Sequence, residues 1–198
     1  MLTELRREHP HLKLIVIEDA LASNGPHIKL LRELQMGFIL GAKPKDHTFL
    51  FDWVANSSTQ WLEQQDDDGT RHRFQFINAV PLNDANFDCE VNFLAYWETS
   101  PKGSEKYFSW ITDIPLSEDN VQTVMRGGRA RWRIENETFN TLKNQGYHFE
   151  HNFGHGDQHL STVFAYLMVL AFLLDQIQGL CCQLFKQAVS AIRSRRFF

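Results

Sequence analysis

The sequence predicts an α/β fold, and three segments near its start indicate this class. Residues 12–17 are nearly all apolar and largely β-branched, as in a central strand that is covered on both faces. Residues 38–42 have the same character, and a helix is expected between the two runs. A strand, a short helix and a second strand in succession form a βαβ unit, so the two strands are expected to be parallel neighbours.

The helix of this unit has clear end signals. Asn24 can cap its first turn, Pro26 suits its first positions, and Gly37 is a typical stop. Glu18-Asp19 follows directly after the first strand. Two acids are therefore expected at the carboxyl end of a strand, which is where α/β sheets usually bind ligands.

Residues 45–116 are expected to form a mostly antiparallel β insertion, after a core unit at residues 1–44. Asp68-Gly69 favours a tight hairpin turn between two strands. The expected strands, all rich in aromatic or β-branched residues, are residues 61–65, 71–77, 91–98 and 106–114.

Residues 117–198 are expected to be helical. Ser117, followed by two acids, is a typical helix start. Gly127-Gly128 is expected to interrupt this helix before a second one over residues 129–144. A last long helix is expected over residues 158–193, either continuous or broken near Gly179.

Composition limits the classes of protein that the chain can belong to. Its 198 residues suffice for one domain with a core, and 43% hydrophobic with 22% charged residues is typical of a soluble globular protein. The net charge of −4 excludes a globally basic nucleic-acid binder, so any such role depends on local clusters. Three cysteines without CxxC spacing favour a reducing, cytosolic setting over a zinc ribbon. The apolar run at residues 163–174 is shorter than the roughly 20 residues that span a bilayer, so a buried helix and no membrane partner are expected.

Glu135 is the unusual acid of the helix expected over residues 129–144. At about 100° per residue it lies within an apolar stripe, whereas Glu137 and Arg133 fall on the opposite, solvent-facing side. A carboxylate on a packed face is costly unless it is paired or binds a metal ion. The alternative is an ion pair with Arg131, four residues earlier, although arginine before glutamate is the weaker order for such a pair.

Basic residues cluster around this position more densely than elsewhere. Four arginines fall within eight positions that contain no acid: Arg126, Arg129, Arg131 and Arg133. The cluster is either a solvated helix face or a phosphate-binding surface, since guanidinium groups pair bidentately with phosphate oxygens. Asp19 has two interpretations as well, as a cap of the turn that follows the strand or as a catalytic acid.

These residues resemble the DDE-type transposases of bacterial insertion sequences. One large group of that family has the signature Tyr, two residues, Arg, three residues, Glu, six residues, Lys, around an Arg-Trp-x-Ile-Glu core. Arg131, Trp132, Ile134 and Glu135 match this core. The likeness continues through Phe139, Asn140, Leu142, Lys143, Asn144, Gly146 and Tyr147 to residues 151–155, and extends back to Ile17-Glu18-Asp19-Ala20 and Ser23-Asn24. It covers nearly the whole chain.

The resemblance implies part of a ribonuclease-H-like catalytic domain, with the β insertion between the second and third acids of the family's triad. Asp19 would be the second acid and Glu135 the third, and both would bind Mg²⁺, of which two ions are expected in the intact protein. The implied reaction is metal-assisted attack of water, and then of a 3′-hydroxyl, on DNA phosphodiesters. The residues implied to contact the DNA backbone are Arg129, Arg131, Arg133 and Lys143.

The same resemblance implies the partners and the location. Double-stranded DNA, at the transposon ends and at the target, would be the substrate, and the bacterial cytoplasm would be the location. A homo-oligomer or a separate N-terminal half is the expected protein partner.

Three positions depart from the family pattern. Gly128 stands where the signature has tyrosine, and lysine comes one place late, as Lys143 after Leu142. The first acid of the triad belongs on an earlier strand, and no candidate for it precedes Asp19. Two hypotheses follow: a transposase catalytic region whose missing strands lie upstream or on another polypeptide, or a truncated, non-catalytic remnant that at most binds DNA or a full-length transposase.

A group of histidines near the end of the motif suggests zinc. His148, His151, His155 and His159 lie close in sequence to Glu150. The glycines at positions 154 and 156 indicate a loop, and the H-E-x-x-H pattern of helical zinc sites is absent from the sequence. DNA contact or polar packing is therefore expected here in preference to a zinc site.

Overall fold

The computed structural model describes residues 1–152, 154, 156 and 158–192, without the side chains of residues 135, 136 and 192. The chain divides into two compact units, Met1–Arg131 and Trp132–Phe198, and each is described by itself.

The first unit contains six strands, three complete helices and most of a fourth. The strands are β1 (Ile15–Glu18), β2 (Gly37–Gly41), β3 (Gln60–Gln65), β4 (Arg71–Asn83), β5 (Asn86–Thr99) and β6 (Glu105–Thr112). The helices are α1 (Leu2–Glu8), α2 (Gly25–Glu33), α3 (Thr48–Ala55) and α4 (Val121–Arg133), and a 3-10 turn lies at Ala20–Ala22.

All six strands form one sheet in the order β1-β2-β6-β5-β4-β3. β1 and β2 are parallel, with Val16 opposite Phe38, as the predicted βαβ unit requires. Every other neighbouring pair is antiparallel. The predicted α/β class is therefore confirmed as a mixed α/β fold with a mostly antiparallel open sheet. Because β6 pairs with β2, the strands of the predicted core and of the predicted insertion belong to the same sheet.

Local sequence signals account for the βαβ unit and the first hairpin. The Asn24 side chain accepts a hydrogen bond from the His27 N–H at 3.1 Å, which caps α2 as expected. The hairpin between β3 and β4 turns at residues 66–70, where Gly69 has a φ of +86° that a side chain would strain. The predicted hairpin is confirmed, although its loop is five residues long and not a tight two-residue turn.

Two apolar clusters cover the two faces of the sheet. One contains Ile28 and Leu31 of α2 and Leu50 and Val54 of α3, packed on residues such as Phe93. The other packs buried residues of α4 on the opposite face, including Val121, Val124, Met125, Phe76 and Trp110. The sheet is thus covered on both sides, and this burial is the main source of stability for the first unit.

Several expectations for the first unit were wrong. β1 is an edge strand and not a central one, because only β2 pairs with it among the described residues. Its residues are exposed or half-buried, although Val16 and Ile17 pack against the clusters on the two faces of the sheet. α3 lies in the segment that was expected to be mainly strands. Gly127-Gly128 does not interrupt a helix, because α4 continues through both glycines to Arg133.

The second unit is helical. After α4, a π-helical turn covers Ile134–Phe139 and leads into α5 (Asn140–Asn144). α6 (Leu160–Cys181) and α7 (Gln183–Ile192) follow, so the expected long helix breaks at Cys182, while residues 193–198 lie outside the described part. The regular α-helix expected over residues 129–144 is therefore wrong between residues 134 and 139.

The residues of the apolar helix α6 are exposed or half-buried along its whole length. It has no buried residue, which contradicts the expected buried helix at residues 163–174. Its 22 residues make it long and apolar enough to cross a membrane, a test that core helices of soluble proteins also pass.

Candidate functional site

Asp19 is the first residue after β1, so it lies at the carboxyl end of that strand, and its side chain is exposed. Its Oδ1 atom accepts a hydrogen bond from the Leu21 N–H at 3.0 Å and so caps the 3-10 turn. The capping interpretation is confirmed for this oxygen. Capping and ligand binding are compatible, because the described contacts of Asp19 occupy only one of its two carboxylate oxygens.

The adjacent acid, Glu18, has a different environment. Successive residues of a strand point to opposite faces, and Glu18 meets α2, where its Oε2 atom lies 2.6 Å from Nε2 of His27. Both side chains are partly buried. Of the two acids at this strand end, Glu18 is engaged within the protein and Asp19 faces solvent.

The turn that contains Asp19 is fixed against the end of β2. A Cβ atom on Gly41 would lie 3.1 Å from the Ala20 backbone nitrogen, so the strand end and the turn approach closely. The Ser23 hydroxyl donates to the Gly41 carbonyl and closes the turn on the same strand. The position of Asp19 is therefore set by backbone contacts on both sides.

His47 lies beneath this turn. It is 9% exposed, and its Nε2 atom has no hydrogen-bond partner among the described residues. Burial lowers the pKa of His47, against the opposing effects of Asp46 and of a hydrogen bond to the Ala20 backbone. The sequence analysis did not identify this residue, because a histidine between a strand and a helix has no spacing signal.

A polar network on the α4 face of the sheet holds Arg129. Arg129 Nη1 donates to Glu98 Oε2 at 2.5 Å, and Lys106 Nζ donates to Glu98 Oε1 at 3.2 Å. The Tyr96 hydroxyl also donates to Glu98, at 3.2 Å, and lies 2.7 Å from Nδ1 of His72. Burial and the Glu98 charge raise the pKa of Tyr96. Arg129, expected to contact DNA, thus anchors α4 to the sheet through at least one of its nitrogens.

Gly128, the position of the missing signature tyrosine, lies against Trp110. A Cβ atom at Gly128 would lie 2.4 Å from the Trp110 Nε1 atom and 2.5 Å from its Cε2 atom. A tyrosine cannot fit there while the Trp110 ring keeps its position. The Trp110 ring therefore restricts this position to a very small side chain, which the sequence could not reveal because the two residues lie on different elements.

The motif itself spans the end of α4 and the π-helical turn. Turns of this kind are rare and occur frequently at functional sites. A π-helical turn contains more residues than an α-helical turn. The expected spacing of about 100° per residue therefore does not relate the position of Glu135 on the helix to the positions of residues beyond Phe139. The Glu135 side chain lies outside the described residues.

Two of the remaining predicted cations, Arg133 and Lys143, have acidic neighbours. Arg133 Nε lies 3.8 Å from Glu137 Oε1, and both side chains are strongly exposed, as expected. Lys143 Nζ pairs with Glu150 Oε1 at 2.7 Å, also near the surface. Arg131 is partly buried and has a partner within the structure. Exposed pairs of this kind contribute little stability, so a phosphate can replace the carboxylate at low cost.

No group of three or more metal-ligating side chains comes together within the described part of the chain. This holds for the histidine-rich segment as far as it is described, since His155 lies outside the described residues. Asp19 belongs to the first unit and Glu135 to the second. Comparison with known proteins gives no relative: no family model matches the chain, and no curated protein matches it.

Proposed function

We propose that the chain is the C-terminal part of a DDE-type transposase, built on a ribonuclease-H-like domain, which cleaves DNA and transfers its strands with Mg²⁺. The observation that supports this most is the Arg-Trp-x-Ile-Glu match at Arg131–Glu135, together with an exposed aspartate at the carboxyl end of β1. The parallel β1–β2 pair with a helix between the strands is the arrangement such a domain requires at its second acid.

The donor chemistry suits magnesium. Mg²⁺ prefers oxygen ligands and retains several waters, so each protein acid needs to supply only one or two oxygens. Asp19 is exposed, and one oxygen is engaged by a backbone N–H that also fixes the carboxylate orientation. The second oxygen and the Glu135 carboxylate are the proposed ligands.

When bound, two ions roughly 4 Å apart would activate the attacking oxygen and stabilise the leaving one at the phosphodiester. The chain itself would place the DNA. Arg131, Arg133 and Lys143 would bind phosphate oxygens, and so would the nitrogens of Arg129 that Glu98 does not engage. These contacts would hold the backbone and give no sequence preference.

A third acid is needed, and the edge of the sheet offers a place for the strand that would supply it. β1 is the edge strand and leaves one row of backbone donors and acceptors open to pairing. We propose that a strand from upstream sequence or from a second polypeptide pairs with β1 and brings the first aspartate next to Asp19.

The test uses the chain extended by the residues encoded immediately upstream, with a DNA duplex that contains the ends of the element. Mg²⁺-dependent strand cleavage is expected, and Glu135→Gln is expected to abolish it. Glu137→Gln is the matched control, because Glu137 lies on the same turn and its side chain is exposed beside Arg133. Cleavage that survives Glu135→Gln would contradict the proposal.

A second candidate is a non-catalytic DNA-binding remnant. The cluster of arginines at positions 126–133 favours it, because guanidinium groups bind phosphate without a metal ion. In this case the 198-residue chain alone binds duplex DNA through the arginines of α4 and does not cleave either strand. Metal-dependent nicking by this chain, abolished by Asp19→Asn and retained in Glu18→Gln, would exclude this candidate.

A further inference from the structure

The sheet face that α2 and α3 cover at one end bears a row of aromatic side chains at the other. Trp61 on β3, Trp97 on β5 and Tyr107 on β6 lie on this face, with Arg73 on β4 between them. Register places Arg73 opposite Trp97 and Trp97 opposite Tyr107, so three of the four side chains stand in one line across the strands. We call Trp61, Arg73, Trp97 and Tyr107 the aromatic platform.

The rings of the platform contact each other and a cation, with Trp61 stacked on Trp97 and Tyr107 tilted against Trp97. The Trp61 and Trp97 ring centroids lie 5.6 Å apart with nearly parallel planes, and Trp97 and Tyr107 lie 5.0 Å apart. The Arg73 guanidinium carbon is 4.7 Å from the Trp97 centroid and 5.5 Å from the Trp61 centroid. The result is a continuous π surface across four strands, with a guanidinium group within it.

The platform is open to solvent at both ends. Trp61 is 47% exposed and Tyr107 is 40% exposed. On the opposite face of the same strands, the aromatic residues Phe74, Tyr96 and Trp110 are buried. Cross-strand stacking stabilises a sheet whether or not the rings are covered, so it explains the contacts but not the exposed tryptophan and tyrosine at the two ends.

The charged residues on this face indicate which interactions would hold a ligand on the platform. Arg71 and Arg73 are cationic, but Glu63 lies opposite Arg73, and Glu105 lies opposite Thr99 on the same face. The two cations and two acids cancel, so the platform does not attract phosphate strongly. A ligand would bind by stacking of flat rings and by hydrogen bonds to the guanidinium group. Nucleobases meet both requirements, and the bases of single strands stack on aromatic side chains and on arginine guanidinium planes in proteins that bind them.

We propose that the aromatic platform binds the bases of an unpaired DNA strand, by stacking on the exposed faces of Trp61 and Tyr107. Paired bases expose only their edges, so duplex DNA cannot stack on these rings without opening. The choice of DNA among nucleic acids rests on the proposed function, whereas the stacking itself requires neither Asp19 nor Glu135.

The test measures binding of the purified chain to a fluorescein-labelled thymidine oligonucleotide by fluorescence anisotropy. Trp61→Ala and Tyr107→Ala are each expected to weaken binding roughly tenfold, the usual effect of losing one base–aromatic stack. Trp61→Phe keeps a stacking ring and is expected to restore most of the affinity. The roughly tenfold loss in Trp61→Ala is expected at low and at high salt alike, because stacking releases no counterions, whereas the phosphate contacts of the arginines weaken as salt is raised.

Trp53→Ala is the matched control. Trp53 is 38% exposed and packs against Phe49 and Phe87 at the other end of this face, and none of the described cations lies over its ring. This variant is expected to bind like the parent chain, and thermal unfolding of each variant verifies that its fold is retained. Equal losses in Trp53→Ala and Trp61→Ala would overturn the platform, and so would a loss in Trp61→Ala that is as large for duplex DNA as for the single strand.

Two further outcomes separate this proposal from the proposed function. Tighter binding of a matched RNA oligonucleotide overturns the assignment to DNA and leaves the stacking surface in place. Unchanged single-strand affinity in Trp61→Ala overturns the platform even if Glu135→Gln abolishes cleavage. Conversely, cleavage that survives Glu135→Gln contradicts the transposase assignment even if the platform variants lose affinity.

Discussion

The two units of the chain bury apolar surface to very different extents. In the first unit, residues on both faces of the sheet form two clusters of buried side chains. In the second unit, Leu142 is the only buried hydrophobic residue among those described. The sheet unit is therefore a folded core in the ordinary sense, whereas the helical unit leaves most of its apolar surface in contact with solvent.

α6 is the clearest instance of this difference. Leucines around the whole helix are about half exposed, including Leu167, Leu170, Leu173 and Leu174. A helix that is apolar on all sides normally lies inside a core or a membrane. One polar contact fixes it within its unit, because the Tyr147 hydroxyl donates to Asp175. The comparison indicates that stability resides in the sheet unit.

The largest expected effect is a direct test of this comparison. Leu94 is fully buried and Leu170 is 50% exposed. Leu94→Ala is expected to lower the free energy of unfolding by about 2–5 kcal/mol, because it leaves a cavity in the core. Leu170→Ala is expected to cost less than about 1 kcal/mol, since its side chain loses little buried surface.

Chemical denaturation monitored by tryptophan fluorescence measures both losses. Similar values for Leu94→Ala and Leu170→Ala would show that α6 is packed in solution and would remove the distinction between the units.

The next effect concerns how closely α4 packs on the sheet unit. Alanine normally stabilises a helix interior by up to about 1 kcal/mol relative to glycine. At Gly128 the added Cβ would collide with the Trp110 ring, and overpacking of this kind costs about 1–3 kcal/mol. Gly128→Ala is therefore expected to lower the thermal midpoint.

Gly127 is the matched control for this prediction. Its Cβ would meet only the Cδ1 atom at the end of the Ile39 side chain, at 2.8 Å, and that side chain can turn away. Gly127→Ala is expected to leave the thermal midpoint unchanged or raise it. The steric explanation of Gly128 would be wrong if the two variants unfolded at the same temperature.

The glycine pair also illustrates what the sequence could predict. The βαβ unit and the β3–β4 hairpin were predictable, because Asn24 and Asp68-Gly69 are local signals with a defined geometry. The continuation of α4 through Gly127-Gly128 was not, because it depends on Trp110 from another element. α3 was missed for a related reason, since no side chain caps its first turn.

The candidate site divides in the same way. Asp19 follows an apolar strand, so its place at a strand end was predictable. The partner of Arg129 was not, because Glu98 is 31 positions away and only the sheet brings the two together. The π-helical turn could not be predicted from a regular repeat of about 100° per residue. The aromatic platform likewise depends on strand register, which alternation in one strand does not define.

The smallest expected effect compares an ion pair from each unit. Glu98 is mostly buried beneath Arg129, whereas the Lys143–Glu150 pair is exposed. Burial alone would raise the pKa of Glu98, but hydrogen bonds from Arg129, Lys106 and Tyr96 outweigh it and lower the pKa below its ordinary 4.5. A lowered folded-state pKa means that the unfolded chain binds a proton first as the pH falls. The stability from Glu98 is therefore complete above pH 4.5 and is lost as the pH falls through the folded-state pKa.

Glu98→Gln is expected to cost about 1 kcal/mol at neutral pH, because a neutral amide is a weaker partner for Arg129. The difference from the parent chain should shrink as the pH is lowered below 4.5, where the parent also loses the carboxylate. Glu150→Gln should change the free energy of unfolding by a few tenths of a kcal/mol at most, as is usual for exposed pairs. Urea titrations over a series of pH values measure these differences. If the difference in the free energy of unfolding between Glu98→Gln and the parent stayed constant with pH, the charged network around Glu98 would be contradicted. An equal loss in Glu150→Gln would mean that the ion pairs of the two units are buried to a similar extent.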